Sequence, residues 1–425
     1  MNVLARHEFD DPAGSMQVEI FRRGKVYHSR DRDVIDIGKV SVDIGLAPSL
    51  MLGDDARWLR RELPRLPPLP PPADRRELIR VALERFRPAQ VQIGSSAQTA
   101  DPFRELLRRA CGLPGQLVDD WIDLLEGSLN RLPDGNRGGI ELISLPANTF
   151  VCLEAWLAAL MRSDAVWIRP SRREPFCAQR LLTCLLEAGW PAERLGLYPT
   201  RREGLVASVA IADRAIVFGG SELPSSLYRR NDVDVRGPGR TRALVGETFD
   251  LERVSRILVR QIASQSGRFC TNVGTILCAG NVDLLGRSIA TALDRIVVGP
   301  VPDRSYPQAM HTSRDEGQGH ADWLNSRIRD DDVQLTSRPI LVAEGDAVYL
   351  APTLIKLGRA EGHPLIGMEL PFPVACIAEV PEARQSSLCG DAGFVYLIGD
   401  RSGPGTLNLP GHVSVTTIDP ATDQP

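Results

Sequence analysis

The spacing of apolar residues changes character twice along this chain. Over 17–29, QVEIFRRGKVYHS alternates apolar and polar positions on either side of Arg23-Gly24, which predicts a β-hairpin, and short apolar runs continue through 33–50. LPRLPPLPPP at 63–72 supports neither a helix nor an inner strand and reads as a polyproline connector; a P-x-x-P docking segment is the alternative. Asp74 and Glu77 form a capping-box pattern ahead of Leu78, Ala82 and Phe86. Asp101-Pro102 opens a second helix with Leu106, Leu107 and Ala110 inward, and a third spans 116–130 with Leu117, Trp121, Leu124 and Leu125.

From Gly139 the period shifts to strand-helix alternation. Apolar runs at 140–145, 165–169, 194–198, 214–218 and 242–246 are separated by helical patterns at 150–162, 175–188, 202–210 and 221–230. This order predicts a parallel sheet covered on both faces. A further helix begins at Asp250 as N-cap, carries Leu251, Val254, Leu258 and Ile262 on one side, and ends in Ser264-Gln265-Ser266-Gly267. A second α/β unit follows, with strands expected at 273–278, 349–355, 373–379 and 393–398 and a polar, histidine-bearing excursion at 303–338.

Composition narrows the function classes. The chain has 425 residues, 43% of them apolar, and no apolar run long enough to span a membrane. A net charge of −4 gives no basic excess for a nucleic-acid backbone. Lys25, Lys39 and Lys356 are the lysines among 50 basic residues, so 47 are arginine, a skew that speaks to source rather than chemistry. Met1 to Asp11 carries charges where a signal peptide would be apolar, so a cytoplasmic protein is expected. Eight cysteines include no C-x-x-C pair, which leaves a zinc cluster without support and most of the thiols reduced and buried.

Neither G-x-G-x-x-G after a strand nor a P-loop motif is present. The chemistry-bearing segments are Pro146-Ala147-Asn148, Arg169-Pro170-Ser171-Arg172, Phe218-Gly219-Gly220-Ser221, Gly237-Pro238-Gly239-Arg240, Gly267-Arg268-Phe269-Cys270-Thr271-Asn272 and Glu369-Leu370-Pro371-Phe372-Pro373. Cys270 falls in a loop between a helix end and a strand, where backbone dipoles and a cation such as Arg268 can lower a thiol pKa. Together and in this order, the segments resemble the aldehyde dehydrogenase superfamily over roughly residues 139–400. Their texture is similar to its acyl-CoA reductase branch, which makes long-chain aldehydes for bacterial luciferase. Arg236 lies 34 residues before Cys270 and Glu369 lies 99 after it, as that superfamily spaces them.

The resemblance implies an α/β, aldehyde-dehydrogenase-like fold: two doubly wound parallel-sheet domains with an active-site cleft between them. On that reading, 1–72 is an N-terminal hairpin and proline-rich connector, 73–246 a cofactor-binding domain, 247–400 a catalytic domain and 401–425 a tail. Cys270 would be the nucleophile, and Asn148 would meet the developing oxyanion, a donor worth roughly 3–4 kcal/mol of barrier; a turn asparagine is the alternative. Arg169 falls where the superfamily has a ribose-touching lysine, next to Ser171. Arg172 falls where NAD-preferring members carry a glutamate, which favours NADPH over NADH unless the arginine merely faces water. Gly219, Gly220 and Ser221 would approach the pyrophosphate at a helix N-terminus, and Glu369 with Phe372 would serve the nicotinamide side; a ligand-free turn and an exposed carboxylate are the alternatives.

One departure from the superfamily matters for mechanism. Its oxidising members carry a general-base glutamate where this chain has Arg236, with Glu247 the nearby substitute. Without that base an acyl-enzyme exchanges with a thiol or accepts hydride, the logic of an NADPH-dependent acyl thioester reductase whose substrate is carried by coenzyme A or an acyl carrier protein. An oxidising aldehyde dehydrogenase with a displaced base and a catalytically silent scaffold are the competing readings. The resemblance further implies a homodimer or higher homo-oligomer, although 127–141 leaves little room for the family's assembly hairpin.

Overall fold

The structure, a computed structural model, describes residues 16–37, 40–87, 91–93, 96–98, 100–220, 222–299, 310–344, 347–398 and 409–418. Ser221, the start of the 303–338 excursion and most of the 401–425 tail lie outside the described residues. The chain divides into two compact units, Met1–Arg236 and Gly237–Pro425.

The first unit is built on a seven-stranded sheet. Its strands lie in the order Val233–Arg236, Arg214–Phe218, Ile140–Ser144, Ala165–Arg169, Leu195–Leu197, Ile20–Arg22 and Lys25–Tyr27. The first five run parallel; the N-terminal hairpin closes one edge antiparallel, turning at Arg23-Gly24. Every residue of Ile140–Ser144 is buried, as a strand covered on both faces requires. The order reverses between Ile140–Ser144 and Arg214–Phe218, a switch point at which loops leave the carboxyl ends of neighbouring strands in opposite directions. A smaller sheet pairs Val40–Gly45 with Met16–Val18 and Arg32–Ile37.

The second unit holds another seven-stranded sheet, ordered Val333–Gln334, Thr353–Lys356, Val374–Glu379, Thr275–Cys278, Arg242–Val245, Phe394–Ile398 and Ser414–Ile418. All pairs are parallel except the edge pair with Val333–Gln334. Alternate residues feed two separate cores. Ala243, Val245, Ile276, Cys278, Ala375 and Ile377 join the cluster under helices Leu251–Ala263 and Val282–Leu293. Leu244, Leu277, Val374, Cys376 and Ala378 enter the cluster on the other face. A two-residue period thus buries both sides of one sheet. Asp250 caps its helix as expected, accepting from the Arg253 N–H.

Several expectations are corrected. The strand over 242–246 lies in the second sheet, so the first unit ends at Arg236 rather than 246, and the N-terminal strands join that unit instead of forming a separate 1–72 segment. The single strand at 349–355 is two, Ala347–Leu350 and Thr353–Lys356, because Pro352 has no N–H to continue a ladder. The first half pairs instead with Leu341–Glu344 and Met310–Thr312. The Asp74 capping box does not form, since the helix starts at Pro72, where proline suits the first turn. No α-helix forms over the described part of 221–230, only a 3-10 turn at Leu227–Arg229; Leu223 and Leu227 are too little apolar surface to offset helix nucleation. Among the described residues no helix is long and apolar enough to cross a membrane.

Candidate active site

In the second unit the chemistry gathers at the amino ends of the parallel strands. Three loops converge there: 239–241 entering Arg242–Val245, 267–274 entering Thr275–Cys278, and 369–373 entering Val374–Glu379. Cys270, Glu369, Arg240, Thr241, Met368 and Phe372 line one pocket. Cys270 is exposed, whereas five of the other cysteines are buried and Cys111 and Cys152 are half-buried, with no disulfide among the eight.

Close backbone contact holds these loops together. A Cβ at Gly239 would stand 1.8 Å from the Cys270 carbonyl oxygen, so only glycine allows the approach. Gly267 (φ +68°) lies against the Phe372-Pro373 peptide, where a Cβ would come within 2.4 Å of the Phe372 carbonyl carbon. Thr241 Oγ1 donates to the Cys270 carbonyl at 2.6 Å, and the Gly239 N–H donates to Glu369 Oε1 at 3.4 Å. Asn272 locks the cysteine turn: its Oδ1 accepts from the Phe269 N–H at 2.8 Å, and its Nδ2 donates to the carbonyls of Gln261 and Ser264, each at 2.9 Å.

The electrostatics oppose the expected activated thiol. Although Cys270 reaches solvent, surrounding protein displaces water from one side and raises its pKa above the ordinary thiol value, and the Glu369 carboxylate adds repulsion. Arg268, proposed from sequence as the lowering cation, is 3% exposed and does not offset this. Glu369 is also raised by partial desolvation, against the pull of the Gly239 N–H and the Arg240 guanidinium. Arg240 is tied to Asp391 at 2.8 Å. Phe372 is 1% exposed and belongs to the core while also lining this pocket. Glu247 follows the carboxyl end of Arg242–Val245, about 13 Å of strand away from the amino edge that carries Cys270, too far to act as a substitute base.

The first unit presents its chemistry at the carboxyl ends of its parallel strands. Asn148 lies half-buried in the loop after Ile140–Ser144; Arg169, Ser171 and Arg172 follow Ala165–Arg169; Gly219 and Gly220 follow Arg214–Phe218. Arg169 is a strut: Nε donates to Thr200 Oγ1 at 2.7 Å and Nη1 to Ser144 Oγ at 3.2 Å, bracing neighbouring strand ends, and burial lowers its pKa to about 10. Arg172 is ion-paired with Asp33, and Arg201 holds Asp31 through two bonds of 3.0 and 3.1 Å. Arg236 pairs with Asp234 at 2.8 Å and lies over the Phe218 ring.

The open backbone at Gly220 leaves room for a nicotinamide dinucleotide at the switch point. Nothing lies within 4 Å of a Cβ built at Gly220, so a ligand can approach the backbone, and arginines follow two neighbouring strands. Among the described residues no α-helix directly follows the glycine turn, so no helix dipole is available there to meet a pyrophosphate. Gly239, Thr241 and Asn272 act on Cys270 through contacts that spacing does not announce; the short G-x-G turn and an asparagine two residues after the cysteine were the available signals. Asp33 carried none.

Two α/β units of this kind, one offering a dinucleotide-type edge and the other an exposed thiol beside a carboxylate, define a thiol-bearing two-unit α/β protein. The aldehyde dehydrogenase family model matches residues 140–385, and the chain belongs to that family. A malonate-semialdehyde dehydrogenase of Geobacillus kaustophilus is 26% identical over 46% of this chain and 42% of its own length. One from Halalkalibacterium halodurans is 24% identical over 59% of this chain and 54% of its own length. The chain thus spans about half the length of the curated relatives it matches. The fold is that of solved aldehyde dehydrogenases. An NADP-dependent glyceraldehyde-3-phosphate dehydrogenase from Bacillus halodurans, complexed with NADP, superposes with TM-score 0.72 at 17% identity, covering 94% of this chain and 90% of the other. The Bacillus cereus aldehyde dehydrogenase with NAD+ gives 0.73 at 12%, covering 94% and 88%.

Proposed function

We propose that the chain is an NAD(P)-dependent aldehyde dehydrogenase that passes its acyl group from Cys270 to a second thiol, and that in reverse reduces an acyl thioester to an aldehyde. The observation that carries this reading is the exposed Cys270 thiol, braced by Gly239, Thr241 and Asn272, with Glu369 in the same pocket. The semialdehyde dehydrogenases among the relatives support the aldehyde as one substrate.

Deprotonated Cys270 adds to the aldehyde carbon, forming the S–C bond and placing negative charge on oxygen. The Cys270 N–H is the local donor for that charge, and Asn148 is the second donor by family resemblance. A nicotinamide dinucleotide, which Arg172 and the Gly219-Gly220 backbone would hold, would supply the hydride acceptor for oxidation of the adduct to the acyl-thioester level. The incoming thiol then attacks the acyl carbon and Cys270 leaves as thiolate. A thiol acceptor is favoured over water by Arg236, which stands where hydrolytic members carry their base, and by Glu247, which lies at the wrong end of its strand.

The test is aldehyde-dependent reduction of NAD+ or NADP+ by the purified chain, with and without coenzyme A, beside Cys270→Ala. Turnover that needs coenzyme A and vanishes in the variant supports the proposal. Formation of free acid without a thiol makes the protein a hydrolytic oxidiser, and inactivity with aldehydes and with acyl thioesters plus reduced cofactor removes the catalytic reading altogether.

A further inference from the structure

In an open parallel sheet that binds a dinucleotide, the loop after the second strand meets the adenosine ribose: a carboxylate there accepts from the 2′-hydroxyl, and an arginine accommodates a 2′-phosphate. The corresponding loop here follows Ala165–Arg169 and presents Arg172. Taken alone, Arg172 argues for NADPH. The structure adds a residue 139 positions away in sequence: Asp33, on strand Arg32–Ile37, is ion-paired with the Arg172 guanidinium. Both side chains keep contact with solvent, 31% for Arg172 and 28% for Asp33, so a ligand can reach the pair.

We infer that Asp33 sets nucleotide choice toward NAD(H), its carboxylate accepting from the ribose 2′-hydroxyl while Arg172 holds that carboxylate in place. The inference rests on the proposed reading of the first unit as the cofactor-binding part. A 2′-phosphate approaching Arg172 meets a guanidinium already paired with the Asp33 carboxylate, whose charge repels it. Asp33 is not readily displaced. Its strand pairs antiparallel with Val40–Gly45, placing Asp33 opposite Ile44, and Arg32 beside it is clamped to Asp43 at 2.8 and 2.9 Å. Three neighbouring cations are already engaged. Arg201 is paired with Asp31 and Arg202 with Glu222, while Arg169 is committed to Thr200 and Ser144. Asp31 and Asp33, two residues apart, thus face the arginines that follow two neighbouring strands.

Binding separates this inference from the catalytic proposal because it needs no turnover. The full chain is titrated with NADH and with NADPH, followed by calorimetry, for the parent, Asp33→Asn, Asp33→Glu and Arg172→Gln. The parent is expected to bind NADH at least 10-fold more tightly than NADPH. Asp33→Asn should shift that ratio toward NADPH by 10-fold or more through tighter NADPH binding, Asp33→Glu should keep the parental order, and Arg172→Gln should not gain NADPH affinity. A parent that prefers NADPH, or an Asp33→Asn ratio within 2-fold of the parent, overturns the inference and leaves the thiol chemistry of Cys270 standing. Binding of neither nucleotide overturns the inference together with the cofactor-dependent reading of the first unit.

Discussion

Replacing Asn272 with alanine is the sharpest probe of how the Cys270 turn is held. The side chain makes three short bonds to backbone, accepting from Phe269 N–H at 2.8 Å and donating to the Gln261 and Ser264 carbonyls at 2.9 Å. It thereby ties the end of helix Leu251–Ala263 to the cysteine turn. At about 1 kcal/mol net per bond the loss is about 3 kcal/mol. For a unit of this size that corresponds to a fall in melting temperature of about 6–12 °C. Cys270 is two residues away, and a displacement of about 1 Å at a reacting atom costs on the order of 100-fold in rate. Calorimetric melting and the rate of Cys270 alkylation by iodoacetamide, measured on the same samples, read both effects. Asn272→Asp is the informative companion: it keeps the acceptor for Phe269 but sets a carboxylate against two carbonyls, and should melt no higher than the alanine variant. An alanine variant that melts within 2 °C of the parent and alkylates at the parental rate, roughly the noise of such measurements, would show that the turn is held by something else.

Other substitutions test the remaining contacts. Glu369→Gln removes the carboxylate that repels the Cys270 thiolate, so the thiol pKa should fall and alkylation at neutral pH should speed up several-fold; an unchanged pH profile would mean the two groups do not interact. Gly239→Ala forces a Cβ to 1.8 Å from the Cys270 carbonyl oxygen and should cut turnover by at least about 100-fold in protein that remains soluble and folded by circular dichroism; near-parental turnover would refute the packing argument. Glu174, buried and accepting from the Cys177 N–H at 2.9 Å, has its pKa pushed up to about 7 by desolvation. The folded chain then binds this proton more tightly than the unfolded chain, so its contribution is present below the ordinary glutamate pKa and is lost as pH rises from about 4.5 to about 7. Glu174→Gln should therefore gain stability relative to the parent across that window in denaturant titrations; a difference that does not vary with pH would rule this out.

Local pattern carried much of the architecture. Strands buried on both faces, such as Ile140–Ser144 and Thr275–Cys278, announce themselves as unbroken apolar runs, and the Asp250 N-cap is legible because its bond spans three residues. Cys270 and Glu369 were legible through motif order, since loops that must approach one another closely keep glycines and prolines at fixed places. Which sheet the 242–245 run joins was not legible: its apolar pattern suits either sheet, and only pairing with Thr275–Cys278 and Phe394–Ile398 decides it.

The amino-acid order alone was sufficient for the α/β class and for singling out the Cys270 segment, because each depends on residue type and near-neighbour spacing. Tertiary structure alone decided that Cys270 is a raised rather than a lowered thiol, that Phe372 is core, and that Arg172 meets Asp33. Desolvation and charge pairing are set by whatever folds against a group, and residues 139 positions apart share no period from which their meeting can be read.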